Sequence, residues 1–429
     1  MLVKEKARRG ISLVLAAGLL AGLAGCAGQD EGKTTIELLS YKMEAVDLFN
    51  DLAAQFNAEN PDLNLVISSP NEAMTILKTR LVRNDPPDMV GLGGDVDFSN
   101  LVDADMLMDI SDYPGLAQVK ESYLEIDKQL ELVPTDGVFA VPYMANAAGV
   151  LYNGELFDRY GWQVPETWSD FMALCQEIQA AGIAPFTFGY KDTWTCLAPW
   201  NALAVDLTDT ELFSRVSLGE DSFANAYSQV ADKQYQLLQY SGNDAFSYGY
   251  NDACTAFARG QAAMYPIGSY AIAQIKSVNP DMDIRSFVMP GSDNPEENIL
   301  NSGIDLQFVV MKDTENKEAC YRVLEFFQLA ENVQRYMDEQ TAVSCQEGDF
   351  TLSPHLAGME PYLDAGRLAD FPDHHYPSEM GADAMIQTFL INGDKTSFLS
   401  RFDTNWTRYS RDTIAKQKAY YEALEKEGA

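Results

Sequence analysis

The sequence predicts an α/β protein built from two domains, or from one large one, and three observations carry that expectation. The chain has 429 residues, more than one domain of ordinary size holds. Its first hundred residues alternate strand and helix patterns in the order of a parallel sheet. Further on, an extended run, "GVFAVPYM" (Gly137 to Met144) continuing into "GVLYNGELFDRYG", reads as a crossing between domains. Hydrophobic residues make up 46% of the chain, enough for real cores.

The elements follow in order. "TIELLS" is a short strand. Val46, Phe49, Leu52, Ala53 and Phe56 then recur at helical spacing, and the pattern stops at Asn60-Pro61. "LNLVIS" is the second strand. Met74, Leu77 and Leu81 mark a second helix ending near "NDPPD", and "DMVGLGG" is a third strand with a glycine turn. Ligands of such sheets sit at the carboxyl ends of strands, where Tyr41 and Asp95 fall. Past the crossing, "PETWSD" opens a helix over Trp168 to Ala181 that ends near Gly182, and helical patterns dominate to Ala271. "IRSFVMPG" reads as a strand crossing back, and "IDLQFVVMK" as another. Cys320, Val323, Leu324 and Phe327 share a face of a later helix; Ile414, Tyr421 and Leu424 mark a terminal one.

The amino end has its own signature. "KEKARRG" carries four cations, and the apolar run from Ile11 to Ala24 is too short to span a bilayer, which needs about 20 residues. A basic start, a short apolar stretch and small residues before a cut describe a secretory leader. "LAGC" (Leu23 to Cys26) resembles the lipobox of bacterial lipoproteins, which implies cleavage before Cys26, acylation there and a flexible leash over 26–33. The net charge of −34 becomes −37 once a leader with four cations and one acid is removed. That field repels phosphate backbones and anionic lipid heads, so nucleic-acid and peripheral-membrane roles are disfavoured. The remaining cysteines, at 175, 196, 254, 320 and 345, are odd in number and lack CxxC spacing, so they are expected mostly or wholly unpaired, with no metal cluster.

Motifs of catalysis fail on inspection. "GKTT" lacks the upstream glycine of a phosphate loop, since position 27 is Ala27. "GLGGD" has Val96 where a dinucleotide fingerprint needs glycine, and no HExxH or GxSxG occurs. The adjacent histidines of "DHHYP" point apart and read as a solvated loop. What stands out is aromatics beside short polar side chains in "SYKMEA", "VPYMAN", "KDTWTC" and "AMYPIGSY". A flat ring covers the CH face of a sugar, while Asp, Glu and Asn engage its hydroxyl rim.

Several segments together resemble the family 1 extracellular solute-binding proteins, the group that contains the maltose-binding protein and supplies the ligand-capturing subunits of ATP-binding-cassette importers. "DLAAQFNAENPDLNLVI", "LVRNDPPDMVGLGGD", the crossing run followed by "PETWSDF", and "TAFARGQAAMYPIGSYAI" carry the resemblance, with gaps, from about Thr34 to Glu347. It implies a two-lobed periplasmic-binding-protein fold of type II, hinged between lobes, with no catalysis and no cofactor. The implied boundaries are 1–25 leader, 26–33 leash, 34–143 with 288–312 as the first lobe, and 144–287 with 313–429 as the second.

Carried over residue by residue, the resemblance makes Asp95 a hydroxyl-binding acid and Asn146 a sugar-touching residue of the crossing strand. Asp192 and Trp194 match an acid and an aromatic two apart, and Tyr270 matches the stacking platform. Tyr41 and Glu44 sit in the first cleft loop, and Tyr143 is a further candidate from "VPYMAN". Asn at 146 and Tyr at 270 depart from the maltose binder, so maltose is not the expected ligand. The expected function is capture of a mono- or oligosaccharide for delivery to a permease, by a monomer held on the outer face of the cytoplasmic membrane or in the periplasm. Two alternatives stay open at this point: the same fold binding a polyamine, phosphorylated small molecule or peptide, and a surface glycosidase. A strongly anionic ligand would want cations in the cleft, and the candidate loops offer only Lys42 and Lys191.

Overall fold

A computed structural model describes residues 32–242 and 244–427; the expected leader, its cut and Cys26 lie outside the described residues. Among the described residues, twelve strands run in chain order: β1 (Thr34–Ser40), β2 (Leu63–Ser68), β3 (Met89–Leu92), β4 (Val141–Ala145), β5 (Ala148–Asn153), β6 (Ala184–Phe186), β7 (Ala262–Gly268), β8 (Ile284–Phe287), β9 (Leu300–Asn301), β10 (Ile304–Val310), β11 (Val343–Ser344) and β12 (Leu368–Ala369). They form two sheets. The first has the order β11-β4-β10-β3-β1-β2, and the second β12-β9-β5-β7-β6 with β8 also on β5.

The predicted strand–helix–strand alternation makes the first sheet's parallel half. Thr34 aligns with Leu63 and Leu38 with Met89, so β1 lies between β2 and β3. The helix Val46–Glu59 buries Leu48, Phe49, Leu52, Ala53 and Phe56, while Val46 at its start stays exposed. Each fully buried aliphatic or aromatic side chain contributes roughly 1.5–3 kcal/mol. Phe49 and Phe56 meet Phe327 and Phe326 edge-on at 6.1 and 5.4 Å. The helix Trp168–Ala180 starts as expected, with Thr167 capping the backbone NH of Asp170. All five described cysteines are buried free thiols. Among the described residues, no helix is long and apolar enough to cross a membrane.

The chain changes lobes at Asn146-Ala147, between β4 and β5, and returns at Ser302-Gly303, between β9 and β10. These places correct the expected boundaries. "IRSFVMPG" does not cross back: its strand β8 pairs with β5 inside the second sheet, and β9 stays there too. The segment after 312 does not begin the second lobe either. The helices Lys317–Phe327 and Ala330–Gln340 pack Phe327 and Tyr336 into the first lobe's core, and β11 pairs with β4. Those aromatics need the apolar face that Val46–Glu59 and β10 present. Only beyond β11 does the chain pass to β12 and the second lobe.

Candidate ligand-binding site

Between the lobes, where both crossings run, lies a cavity of ≈ 580 Å³. The first lobe offers it Tyr41, Lys42, Glu44 and Asp95; the crossings offer Asn146 and Asp305; the second lobe offers Trp194, Asn201, Tyr270, Asp373 and His374. It thus gathers loops from the carboxyl ends of β1 and β3, as open α/β sheets do.

Asp305, at the start of β10, is the hub of one wall. Lys42 Nζ sits 2.6 Å from its Oδ2, and Asn146 Nδ2 donates to its Oδ1 at 2.7 Å. The Tyr41 hydroxyl donates to its backbone carbonyl. Lys42 also reaches Glu44 at 3.1 Å and lies 4.8 Å from the centre of the Tyr41 ring. Burial opposes the charge on Lys42, but Asp305 foremost holds its ammonium well above the ordinary value. The carboxylate is therefore fixed in place with lone pairs to spare, a rigid acceptor for a neutral donor.

The opposite corner joins the lobes electrostatically. Asp95 caps the helix Val96–Asp103, accepting from the backbone NH of Asp97 at 2.8 Å. Burial raises its carboxyl above the ordinary value, and His374 pulls it part of the way back. The His374 Nδ1 lies 2.9 Å from Asp370 Oδ1. Burial alone would lower its pKa, but Asp370, Asp373 and Asp95 together push it up to about 10. Those acids favour the imidazolium, whose two ring nitrogens are both donors. Gly303 permits this approach, because a Cβ there would stand 2.4 Å from Asp370 Oδ1 and 2.9 Å from His374. Asn201 donates to Asp373 and accepts its backbone NH in return.

The third wall is aromatic. Trp194 lies 5.0 Å from the Tyr250 ring and 5.9 Å from the Tyr270 ring, and 41% of it is exposed. The Tyr270 ring rests on Gly268, where a Cβ would come within 2.3 Å. An exposed tryptophan beside a seated tyrosine is an apolar platform open to the cavity.

Six of the eight candidate residues line this cavity: Tyr41, Glu44, Asp95, Asn146, Trp194 and Tyr270. Two do not. Tyr143 is wholly buried among Phe308, Phe327 and Tyr336 and donates to the Asn332 carbonyl at 3.2 Å; it fills the first lobe's core because its position on β4 points into that layer. Asp192 accepts from the backbone NH of Tyr250 at 2.7 Å, so it starts the helix Tyr250–Ala258 instead of facing the cavity. The histidine pair is also corrected. His374 lines the cavity, and His375 stacks on Phe213 at 4.4 Å with its pKa lowered by burial to about 4.

Asp305, Asn201, Asp373 and His374 were missed. An acid near the start of the mostly apolar run "IDLQFVV" was the available signal for Asp305, and "DHHYP" that for Asp373 and His374. Among the described residues no trio of His, Cys, Asp or Glu is disposed to hold a metal ion. A second cavity of ≈ 420 Å³ lies between the lobes on the far side of His374, under Trp406 and Gln417, but it takes in none of the aromatic platform.

Comparison with known proteins agrees with this architecture. The multiple sugar-binding protein of Streptococcus mutans is 28% identical over 327 residues, covering 72% of this chain and 74% of that protein. The melibiose/raffinose/stachyose-binding protein MelE of Bacillus subtilis is 22% identical over 311 residues, 69% and 71% of the two chains. The apo form of RafE from Streptococcus pneumoniae superposes with a TM-score of 0.78 at 24% identity, over 88% of this chain and 98% of that one; RafE in complex with raffinose gives 0.73. These likenesses bear on the two-lobed fold. The model of the bacterial extracellular solute-binding proteins matches residues 43–334, and the chain belongs to that family.

Proposed function

We propose that this protein captures an uncharged oligosaccharide between its lobes and delivers it to the permease of an ATP-binding-cassette importer, without chemistry of its own. The observation that carries the reading is the meeting, within one cavity, of the Trp194–Tyr270 platform and the carboxylates of Asp95, Asp305 and Asp373. A sugar ring presents an apolar face to the first and hydroxyls to the second. The His374 imidazolium and the Asn146 and Asn201 amides add donors, so both halves of a hydroxyl's hydrogen bonding are met. Acids outnumber cations in the cavity, and the two cations, Lys42 and His374, are each held by a carboxylate. Strong anions gain little there.

Closure is favoured only by contacts that the closed state adds, which come from both lobes. Micromolar affinity corresponds to roughly −8 kcal/mol. The relatives that bind multiple sugars, or melibiose, raffinose and stachyose, support this ligand class. We further read Cys26 as the lipid anchor that keeps the receptor at the outer face of the membrane, where a tether raises its effective concentration at the permease. The reading also takes the protein as a monomer.

Thermal-shift screening tests the ligand class. Melibiose, raffinose and stachyose should raise the melting temperature, with a shift that grows as the logarithm of concentration once the sugar exceeds its Kd. Stabilisation by a polyamine or peptide with none by any saccharide would refute it.

A further inference from the structure

The helix Arg411–Glu427 belongs to one lobe and is fastened to the other. It follows directly on Lys395–Tyr409, whose Phe398, Phe402 and Trp406 are buried in the second lobe's core, and its own Ile414 packs against that core. Lys416 and Gln417 reach the first lobe instead. The Lys416 ammonium lies 2.7 Å from each carboxylate oxygen of Asp103, and the Gln417 side-chain amide donates to the Leu132 carbonyl at 3.0 Å. Neither contact lies at a crossing strand.

This fastening is built to come undone. Between the helix and the first lobe runs the cavity of ≈ 420 Å³, with Thr413, Gln417 and Tyr421 on one side and Val96, Ser99 and Asn100 on the other. The helix thus reaches the first lobe through polar contacts across a cavity, with its apolar packing kept for the second. The Lys416 and Asp103 side chains are 52% and 27% exposed, so salt screens the pair. Among the described residues, Gln417 Oε1 is buried without a donor, a cost that release would relieve. A displacement of about 1 Å takes both contacts beyond hydrogen-bond range. Any lobe rotation that moves Asp103 against Lys416 therefore makes or breaks them.

The point of attachment bears on the sugar site. Asp103 ends the eight-residue helix Val96–Asp103 that Asp95 caps, so about 12 Å of helix joins the fastening to the cavity acid. A cation at that carboxyl end also suits the helix dipole. We propose that Arg411–Glu427 is a releasable strap between the lobes: Lys416 and Gln417 hold them at one spacing and so set where Asp95 stands relative to the Trp194–Tyr270 platform. Both act as positioning residues through the Asp95 helix and touch no ligand.

Spin-label distances between the lobes test this without sugar, so the ligand class is not at issue. Val82 on the first lobe and Ile391 on the second are exposed and take labels as Val82→Cys and Ile391→Cys. The described cysteines are all buried, and Cys26→Ser removes the other thiol. Lys416→Met/Gln417→Leu should keep the far-ultraviolet spectrum and broaden the distance distribution, or shift the balance of lobe arrangements by about two- to five-fold. An exposed ion pair and one hydrogen bond support an effect of that size. An unchanged distribution would overturn the proposal. Charge exchange, Asp103→Lys with Lys416→Asp, should restore the wild-type distribution that either change alone disturbs; a double variant as disturbed as the singles would also overturn it. Salt gives the readout that packing alone would not move. Raising it from about 0.05 to 1 M should carry wild type toward the Lys416→Met distribution and leave that variant nearly still. Equal responses of the two would contradict an ionic strap.

Discussion

Replacing Lys42 by methionine tests the wall of the cavity at its most charged point. Lys42 and Asp305 have side chains 8% and 13% exposed, with Nζ 2.6 Å from Oδ2. At an effective dielectric constant of about 20, the gross attraction at that distance is roughly 6 kcal/mol, most of it offset by the desolvation of both ions. Removing the cation alone forfeits the attraction and leaves the desolvation, which for buried pairs destabilises by about 3–5 kcal/mol. Asn146 still donates to Asp305 at 2.7 Å, which places the expected loss near the lower end, about 3 kcal/mol. Against a total stability of about 5–15 kcal/mol the variant still folds. Urea denaturation measures this. The double variant Lys42→Met/Asp305→Leu removes both charges and should be less destabilised than the two single variants summed, by at least about 1 kcal/mol. A single variant within about 0.5 kcal/mol of wild type, or a strictly additive double, would refute the view of this pair as buried and coupled.

Tyr270→Ala should weaken sugar binding by about 1–3 kcal/mol with the melting transition nearly unchanged, read by calorimetry. Tyr143→Ala should do the reverse, lowering stability by about 3–5 kcal/mol through a cavity in the first lobe, with binding by the folded fraction retained. For His374, the folded value of about 10 lies above the ordinary 6.5, so its contribution is fully present below pH 6.5 and is lost as pH rises through 10. The stability advantage of wild type over His374→Asn should therefore shrink by a few kcal/mol between pH 7 and 10, and a constant difference would mean that the imidazole is neutral throughout.

The parts of the fold legible in the sequence were those set by local periodicity. Phe49, Leu52 and Phe56 repeat every three to four residues because one face of their helix packs on a sheet, and Thr167 declares its helix by capping it. Lobe membership was not legible, because the helices after residue 312 could have covered either sheet. The choice is made by Phe327 and Tyr336 meeting Phe49, 278 and 287 residues earlier in the chain, a contact that no local pattern announces.

The site divides the same way. Tyr41 and Asp95 were visible because strand ends are visible, and Trp194 because an aromatic in a polar loop stands out. Tyr143 and Asp192 carry the same local signature yet serve a core and a helix start, since a side chain's direction depends on its sheet and its neighbours. His374 was misread for the converse reason: its surroundings, Asp370, Asp95 and the space over Gly303, are assembled from both lobes.

A crystal structure of the protein grown with raffinose addresses the central reading most directly. The account predicts the sugar inside the inter-lobe cavity, one ring against Trp194 or Tyr270 and its hydroxyls on Asp95, Asp305 or Asp373. Raffinose bound elsewhere, or in this cavity without contact to those side chains, would contradict it.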